Sequence, residues 1–491
     1  MSDLARLCAG ILCVGIEGTE PADARAALED FPVAGVVLFA RNVRDVAQVR
    51  ALTDAVRELF GPLSPFIATD QEGGRVARLR RDVVEIPSMM ALGATVDAAL
   101  AARAGAQIAH DLRRAGVNLD FAPVLDLARP GRGTVIGTRS FGENPDAVTA
   151  LGGAFAGGLQ RAGVVATYKH FPGHGATEAD SHETLPVVDA TRAQLRAADL
   201  RPFAALLPEA RAVMTAHVVV RAFDPDSPAT TSREILQTLL REEMHFRGVC
   251  FTDCMEMDAI GTTIGTAEGA VRALRAGADC VTIGHRIELA RETASALERA
   301  VRDGRLPLKR LSEAYERVQR LRRRLSEPLP VEAPAPDPEI GREIARRAVT
   351  RVRGSAVLDA RECTAITFEA DAGRGVEETR AHVPGLGDHA HGLEERRLSL
   401  DPDETSVEEA LHVVSAQRKR PILLLRRAHV HEGQHYAARR FIERIPETVV
   451  ISTREPFELE ALDAGEVLAI FDDGDTSFAG LADVLFATRA R

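Results

Sequence analysis

The chain has no tryptophan, and its 491 residues include only 3 tyrosines and 6 cysteines. No apolar run reaches the roughly 20 residues that a membrane-spanning helix needs, so the sequence offers no candidate for one. The cysteines are scattered, and several lie in strand-like apolar runs. We therefore expect buried thiols rather than a disulfide framework.

The sequence also lacks a convincing targeting segment. Residues 9–14 are apolar, but Asp3 and Arg6 leave no positively charged region before them, and no small-residue cleavage site follows. We interpret this stretch as the first strand of a folded domain. We expect a cytoplasmic protein that has no membrane partner.

Acidic residues outnumber basic ones by 72 to 61, which gives a net charge of −11. This balance argues against nucleic acid as the main partner. The hydrophobic fraction of 45% and the charged fraction of 27% are typical of a soluble globular protein. A chain of this length is too long for one ordinary core, so we expect two domains. The sequence makes no prediction of the oligomeric state.

Strand-like and helix-like segments alternate along the first part of the chain. This alternation predicts a (β/α)8 TIM-like barrel over residues 1–326. The eight predicted strands span residues 11–16, 33–40, 66–69, 117–124, 164–168, 212–217, 249–252 and 279–283. Because such barrels close on themselves, we expect residues 1–326 to fold and act without the rest of the chain.

Polar residues cluster at the carboxyl ends of these predicted strands. The residues concerned are Asp70, Arg139, Lys169, His170, His217 and Asp253. Active sites of (β/α)8 barrels assemble at that face.

The predicted barrel domain ends with an amphipathic helix over residues 310–325, whose arginines we expect on a solvated face. A proline-rich linker is predicted over residues 327–338. Buried strands alternate with helices over residues 339–491, which predicts a second, smaller α/β domain with a parallel or mixed sheet. No catalytic motif stands out in that domain, and its role is not predicted.

The stretch richest in candidate catalytic side chains is Lys169–Pro186, which reads KHFPGHGATEADSHETLP. It follows a buried strand, and its glycines and prolines interrupt regular structure. His170, His174, His182 and Asp180 lie within it. A metal site is one interpretation, but no His-x-x-x-His pair on a helical pattern occurs and no cysteine is near. We expect neither a metal nor an organic cofactor.

The segments K-H-F-P-G-H-G and D-S-H resemble the signature of glycoside hydrolase family 3, in its β-N-acetylglucosaminidase branch. The resemblance covers about residues 1–325. It implies that His182 is the general acid/base and that Asp180 orients and charge-stabilises the imidazole. A histidine can protonate a leaving oxygen near neutral pH without the raised pKa that a carboxylate needs.

Asp253 stands in V-C-F-T-D-C-M-E-M and matches the strand-terminal T-D-x-x-M context of the family's nucleophile. Taken locally, it could simply cap the next helix. As nucleophile it would attack the anomeric carbon. Retention follows if the nucleophile and the acid/base are about 5–5.5 Å apart.

The resemblance also implies a set of sugar-binding residues: Asp70, Arg78, Arg139, Lys169 and His170. A helix cap for Asp70 and surface salt bridges for the arginines are the local alternatives. Several charged groups facing one pocket would be costly without a polar ligand. His174 and His217 match family positions too, and we assign them structural roles only.

The implied function is retaining exo-hydrolysis of terminal β-linked N-acetylglucosamine from peptidoglycan fragments or chitin oligomers. Two alternatives remain open. One is a phosphorylase on the same scaffold, since a histidine repels incoming phosphate less than a carboxylate does. The other is an inert sugar-binding protein, against which the presence of Asp253 and the Asp180–His182 pair argues.

Overall fold

The computed structural model describes residues 2–130, 135–177, 185–327, 334–369 and 384–486. Eight parallel strands form the first sheet, in the spatial order β7-β6-β5-β4-β3-β2-β1-β8. These strands are Leu12–Gly15 (β1), Gly35–Leu38 (β2), Phe66–Thr69 (β3), Leu119–Asp120 (β4), Val165–Phe171 (β5), Ala212–Thr215 (β6), Val249–Phe251 (β7) and Val281–Ile283 (β8). A parallel bridge between Phe251 and Cys280 joins β7 to the start of β8. The predicted barrel is therefore confirmed.

The strands are short apolar runs whose residues are all buried. This pattern is expected where the barrel interior covers one face and helices cover the other. Phe251 contacts Phe66 and Phe121 with ring centroids 5.5 Å and 5.6 Å apart. Side chains thus fill the inside of the barrel, and the polar residues are left at its rim.

Helices surround the sheet. The described helices up to residue 326 are Asp3–Ala9, Pro21–Leu28, Val46–Phe60, Met89–Ala94, Ala98–Arg114, Pro145–Arg161, Arg192–Ala197, Leu200–Leu206, Glu234–Glu243, Asp258–Gly261, Thr266–Ala276, Ile287–Arg302 and Leu308–Ser326.

The arginines of helix Leu308–Ser326 do not all face solvent, so that expectation was partly wrong. Arg310 and Arg317 donate to the buried carboxylate of Asp279 at 2.7 Å and 2.9 Å. Arg322 is buried and donates to the carbonyl oxygens of Leu63 and Ser64. These long side chains reach around the helix to groups at the bottom of the barrel.

The second domain is built on a mixed six-stranded sheet in the order β9-β14-β13-β12-β10-β11. Its strands are Thr350–Arg353 (β9), Cys363–Phe368 (β10), Glu394–Leu398 (β11), Arg420–Leu425 (β12), Val449–Ser452 (β13) and Glu466–Ala469 (β14). Only β9 pairs antiparallel. The helices are Ile340–Ala348, Glu404–Gln417, Glu432–Arg444 and Asp475–Leu485. Residues 456–461 form a 3-10 turn.

The second domain packs against the barrel. Ile340 and Ile344 belong to the barrel's own apolar core. Ser88 donates a hydrogen bond to the carbonyl oxygen of Phe471 at 2.7 Å, and Arg75 pairs with Asp473 at 3.2 Å. The loop that follows β14 therefore lies beside the barrel segment between β3 and helix Met89–Ala94. Within the described residues, none of the helices is long and apolar enough to cross a membrane.

Candidate functional site

The candidate residues lie where the sequence placed them, at the carboxyl ends of barrel strands. Asp70 follows β3 directly, and Lys169 and His170 lie in the last part of β5. His217 and Asp253 come two residues after the ends of β6 and β7. Parallel strands in a barrel end at one rim, so four separate stretches of sequence are brought to one place.

A hairpin after β3 brings Arg78 back to Asp70. Residues 71–73 pair antiparallel with residues 76–77. Gly73 (φ +101°) and Gly74 (φ +58°) make the turn in backbone conformations that favour glycine. Arg78 Nη2 consequently lies 3.4 Å from Asp70 Oδ2.

Buried charges alternate in sign across the site. Lys169 Nζ lies 2.7 Å from Asp70 Oδ1 and 2.7 Å from Glu72 Oε1. Arg139 donates through Nε and Nη2 to the two oxygens of Glu72, both at 2.8 Å. The bidentate geometry is the strong form of this pair. All four side chains are held in place by these contacts within the protein.

Glu72 is the residue that the sequence interpretation missed. Burial alone would raise its pKa, but Arg139 and Lys169 outweigh burial and hold that pKa below its usual range. Burial would also lower the pKa of Lys169, and Asp70 and Glu72 raise it instead. Glu72 therefore fixes both cations in the charged form. The signal was present in D-Q-E-G-G-R, as a second acid two positions after Asp70.

Asp126 is a second residue that was missed. Its Oδ2 accepts hydrogen bonds from the Nδ1–H and the backbone N–H of His170 at 2.6 Å and 3.2 Å. Its Oδ1 accepts from the backbone N–H of His174 at 2.6 Å. Burial would raise the pKa of Asp126, but His170 and these bonds lower it. The other ring nitrogen of His170, Nε2, is 3.4 Å from Arg139 Nη2, so Asp126 sets how His170 faces the site.

His174 is fully enclosed beside this group. Burial lowers its pKa to about 4, and the opposing effects of Asp126 and Asp253 are weaker. Its Nδ1 lies 2.9 Å from Thr177 Oγ1. His174 is therefore neutral at pH 7.

Asp253 is half-buried, and its Oδ1 accepts a hydrogen bond from the backbone N–H of Cys254 at 2.8 Å. The carbonyl oxygen of Cys254 accepts from His217 Nε2 at 3.0 Å, and His217 Nδ1 lies 2.8 Å from Thr230 Oγ1. His217 thus anchors the backbone that carries Asp253.

Asp180 and His182 lie outside the described residues. The flanking positions are anchored on both sides. Thr177 Oγ1 donates to the carbonyl oxygen of His174 at 2.9 Å, and Val187–Val188 pairs with Val219–Val220.

Asp120, at the end of β4, is fully buried, and burial raises its carboxyl pKa well above the ordinary value. Its Oδ1 accepts from the backbone N–H of Gln71 at 2.9 Å. The described residues contain no group of three or more His, Cys, Asp or Glu side chains arranged to hold a metal ion. The arrangement suits a ligand with many hydroxyl groups.

A family model and several named proteins match this chain. The N-terminal domain of glycosyl hydrolase family 3 matches residues 11–321. A beta-hexosaminidase from Pseudomonas aeruginosa is 42% identical over 272 residues, which are 55% of this chain and 81% of that protein. Beta-hexosaminidase A from Pseudoalteromonas piscicida is 32% identical over 384 residues, covering 71% of this chain and 64% of that protein.

The likeness to a solved structure extends through the second domain. The glycoside hydrolase family 3 beta-N-acetylglucosaminidase from Paenibacillus sp. superimposes with a TM-score of 0.90 at 33% identity. The match covers 99% of this chain and 97% of that one. With the family domain matched over most of the barrel and the whole fold shared with a member, this chain belongs to glycoside hydrolase family 3.

Proposed function

We propose that this glycoside hydrolase removes terminal β-linked N-acetylglucosamine and that it does so with retention at the anomeric carbon. Relatives at 42% identity carry the name beta-hexosaminidase, and a family 3 beta-N-acetylglucosaminidase shares the fold. The observation that carries the assignment of the pocket is the chain of buried contacts Asp70–Lys169–Glu72–Arg139, at the same barrel rim as Asp253. Ionised donors and acceptors fixed in this way suit the hydroxyl groups of a sugar.

In this proposal Asp70, Arg78, Arg139, Lys169 and His170 bind the sugar. Asp253 attacks the anomeric carbon while His182, oriented by Asp180, protonates the departing oxygen. The bond from carbon to that oxygen breaks as the bond to Asp253 forms. The same histidine then takes a proton from water, which displaces Asp253 and releases the sugar.

The experiment is a screen of aryl β-glycosides that differ at the 2-position, followed by proton NMR of the first-formed product. We expect turnover of the N-acetylglucosaminide and a β-configured first product. Asp253→Gly should be inactive and should be partly rescued by azide, giving a glycosyl azide of inverted configuration. Near-normal activity of Asp253→Ala would place the nucleophile elsewhere.

The same assay separates hydrolysis from phosphorolysis. In phosphate buffer a hydrolase releases free N-acetylglucosamine, whereas a phosphorylase releases the sugar 1-phosphate. We propose hydrolysis, and sugar 1-phosphate as the main product would overturn it.

The natural substrate class proposed is peptidoglycan fragments or chitin oligomers, and we propose a cytoplasmic location. The six cysteines are free and five of them are buried, which fits a reducing compartment. Comparing kcat/KM on a muropeptide disaccharide and on chitobiose tests the substrate, and cell fractionation tests the location.

A further inference from the structure

The second domain presents buried charges to the barrel that the proposed mechanism does not use. They lie in the loops that follow β12, β13 and β14, and each is at most 3% exposed: Arg426, Arg427, Arg454, Glu455, Asp472 and Asp473. Charged side chains are rarely buried to this degree without a partner or a function. Asp473 has such a partner in Arg75 of the barrel, at 3.2 Å.

Glu455 differs from its neighbours in this set. Neither of its carboxylate oxygens accepts a hydrogen bond from a described residue, although the side chain is buried. Within the described residues, the nearest cationic atoms are Nε of Arg454 at 3.7 Å and Nε of Arg427 at 3.9 Å. Burial would raise the pKa of Glu455, but the two arginines lower it. Among the residues that the structure describes, the group is thus an ionised acceptor with unused capacity, and such groups call for an explanation.

Glu458, three positions along the same turn, is a natural comparison. It is equally buried, but its oxygens lie 2.7 Å from Ser452 Oγ and 3.1 Å from His429 Nδ1. The hydrogen bonds of its carboxylate are therefore made by side chains of the second domain. Burial at this turn therefore does not by itself leave a carboxylate without donors.

The position of Glu455 points to the sugar pocket. A Cβ atom built on Gly137 would lie only 2.0 Å from Glu455 Oε1, so the carboxylate packs directly against that glycine. Gly137 (φ +43°) begins the turn that ends at Arg139, whose guanidinium contacts Glu72 and His170. The carboxylate is therefore one turn away from the buried site. Arg427 beside it has φ +57°, and strained backbone of this kind clusters at ligand-binding positions.

We propose that Glu455 is a substrate-binding residue supplied by the second domain, and that its carboxylate accepts a hydrogen bond from a hydroxyl group of the bound sugar. The proposal rests on the proposed function of the pocket as an N-acetylglucosamine site. A hydroxyl group is the fitting donor because Arg427 and Arg454 already balance the charge of Glu455. The described residues offer this carboxylate no donor at hydrogen-bonding distance, and a hydroxyl group would supply one.

The test is a cycle that combines enzyme variants with deoxy substrates, performed on the full chain. Wild type, Glu455→Ala and the matched control Glu458→Ala are assayed on an aryl β-N-acetylglucosaminide and on its 3-, 4- and 6-deoxy analogues. Wild type should lose about 10- to 100-fold in kcat/KM on the analogue that lacks the contacted hydroxyl. Glu455→Ala should show a similar loss on the parent substrate and no further loss on that one analogue.

Glu458→Ala should keep the wild-type pattern of penalties across the analogues, whatever its stability. If each deoxy analogue lowers kcat/KM by the same factor in Glu455→Ala as in wild type, the proposal is overturned and Glu455 has a structural role. Should Glu455→Ala fail to fold, the isosteric Glu455→Gln carries the same cycle, with a partial reduction of one penalty expected. A wild type inactive on the parent substrate would instead refute the proposed function.

Discussion

Lys169 is the compact cation at the centre of the site. Lys169, Lys309 and Lys419 are the lysines of a chain that otherwise uses arginine for its basic side chains. The Nζ atom of Lys169 contacts Asp70 and Glu72 at once while the side chain is buried. Arg139 already occupies the bidentate position on Glu72, so a second planar guanidinium has no matching place there.

We therefore predict that Lys169→Arg lowers kcat/KM on the aryl N-acetylglucosaminide by about 100-fold or more, because displacement of positioning groups by about 1 Å is costly. Steady-state kinetics checks this. Lys309→Arg, at an exposed position, is the matched control and should behave as wild type. Equal activity of the two variants would show that Lys169 needs only charge.

His174 gives a second prediction at the residue scale, which concerns pH. Its pKa is lowered to about 4 by burial, whereas its ordinary value is 6.5. The unfolded chain then binds this proton more tightly, so stability is lost as pH falls from about 6.5 to about 4. The difference between these two pKa values corresponds to about 3 kcal/mol of folding stability.

In His174→Asn the free energy of unfolding should fall less between pH 7 and pH 4.5 than it does in wild type. Urea unfolding at several pH values measures this slope. The exposed His412 supplies the control variant, His412→Asn, which should keep the wild-type slope. A slope unchanged in His174→Asn would mean that other groups cause the acid sensitivity.

At the scale of elements, helix Leu308–Ser326 is tied to the barrel by one buried carboxylate. Asp279 accepts from Arg310 at 2.7 Å, from Arg317 at 2.9 Å and from Arg241, and also from the backbone N–H of Cys250 at 3.0 Å. Removing the carboxylate leaves three guanidinium groups around a site with no counter-charge. That uncompensated positive charge, rather than the lost attraction, determines how far the free energy of unfolding falls.

Asp279→Asn should lower the free energy of unfolding by about 3–5 kcal/mol. The KM should stay unchanged, because Asp279 precedes β8 at the end of the barrel opposite the site. Chemical denaturation and kinetics at low temperature measure the two quantities. The exposed pair Arg50–Asp54 is the comparison, and Asp54→Asn should cost less than about 0.5 kcal/mol.

At the scale of the molecule, the contacts between the domains change the expectation that residues 1–326 suffice. A chain that ends at Ser326 loses the cover that Ile340 and Ile344 give the barrel core. It also loses Asp473, the partner of Arg75, and the carbonyl oxygen that Ser88 binds. The loop that carries Glu72, Arg75 and Arg78 would then lack one of its supports.

We predict that residues 1–326 retain helical circular dichroism but lose about 100-fold or more in kcat/KM on a small aryl substrate. Asp473→Asn in the full chain isolates the contribution of the Arg75 pair and should show a smaller loss. Full activity of the truncated barrel would contradict this prediction and the proposed role of Glu455 together.

Eight short apolar runs with polar residues at their ends are enough to predict the barrel, because each run carries a local signal of burial. They also predict that Asp70, Lys169, His170 and Asp253 share one rim, since parallel strands end on the same side. Strand β11 gives no such signal, because its residues, Glu-Glu-Arg-Arg-Leu, lie at the edge of a sheet and none of them is buried. Edge strands need no apolar run, so local composition does not reveal them.

Which charged side chains pair with each other is seen in the folded structure and not in the sequence. Glu72 joins Lys169 to Arg139, Asp126 holds His170, and Glu455 comes to Gly137 from the other domain. Each of these contacts joins residues far apart in the chain. They form because barrel closure and domain docking bury those groups together, and a buried charge then requires a partner that no local pattern specifies.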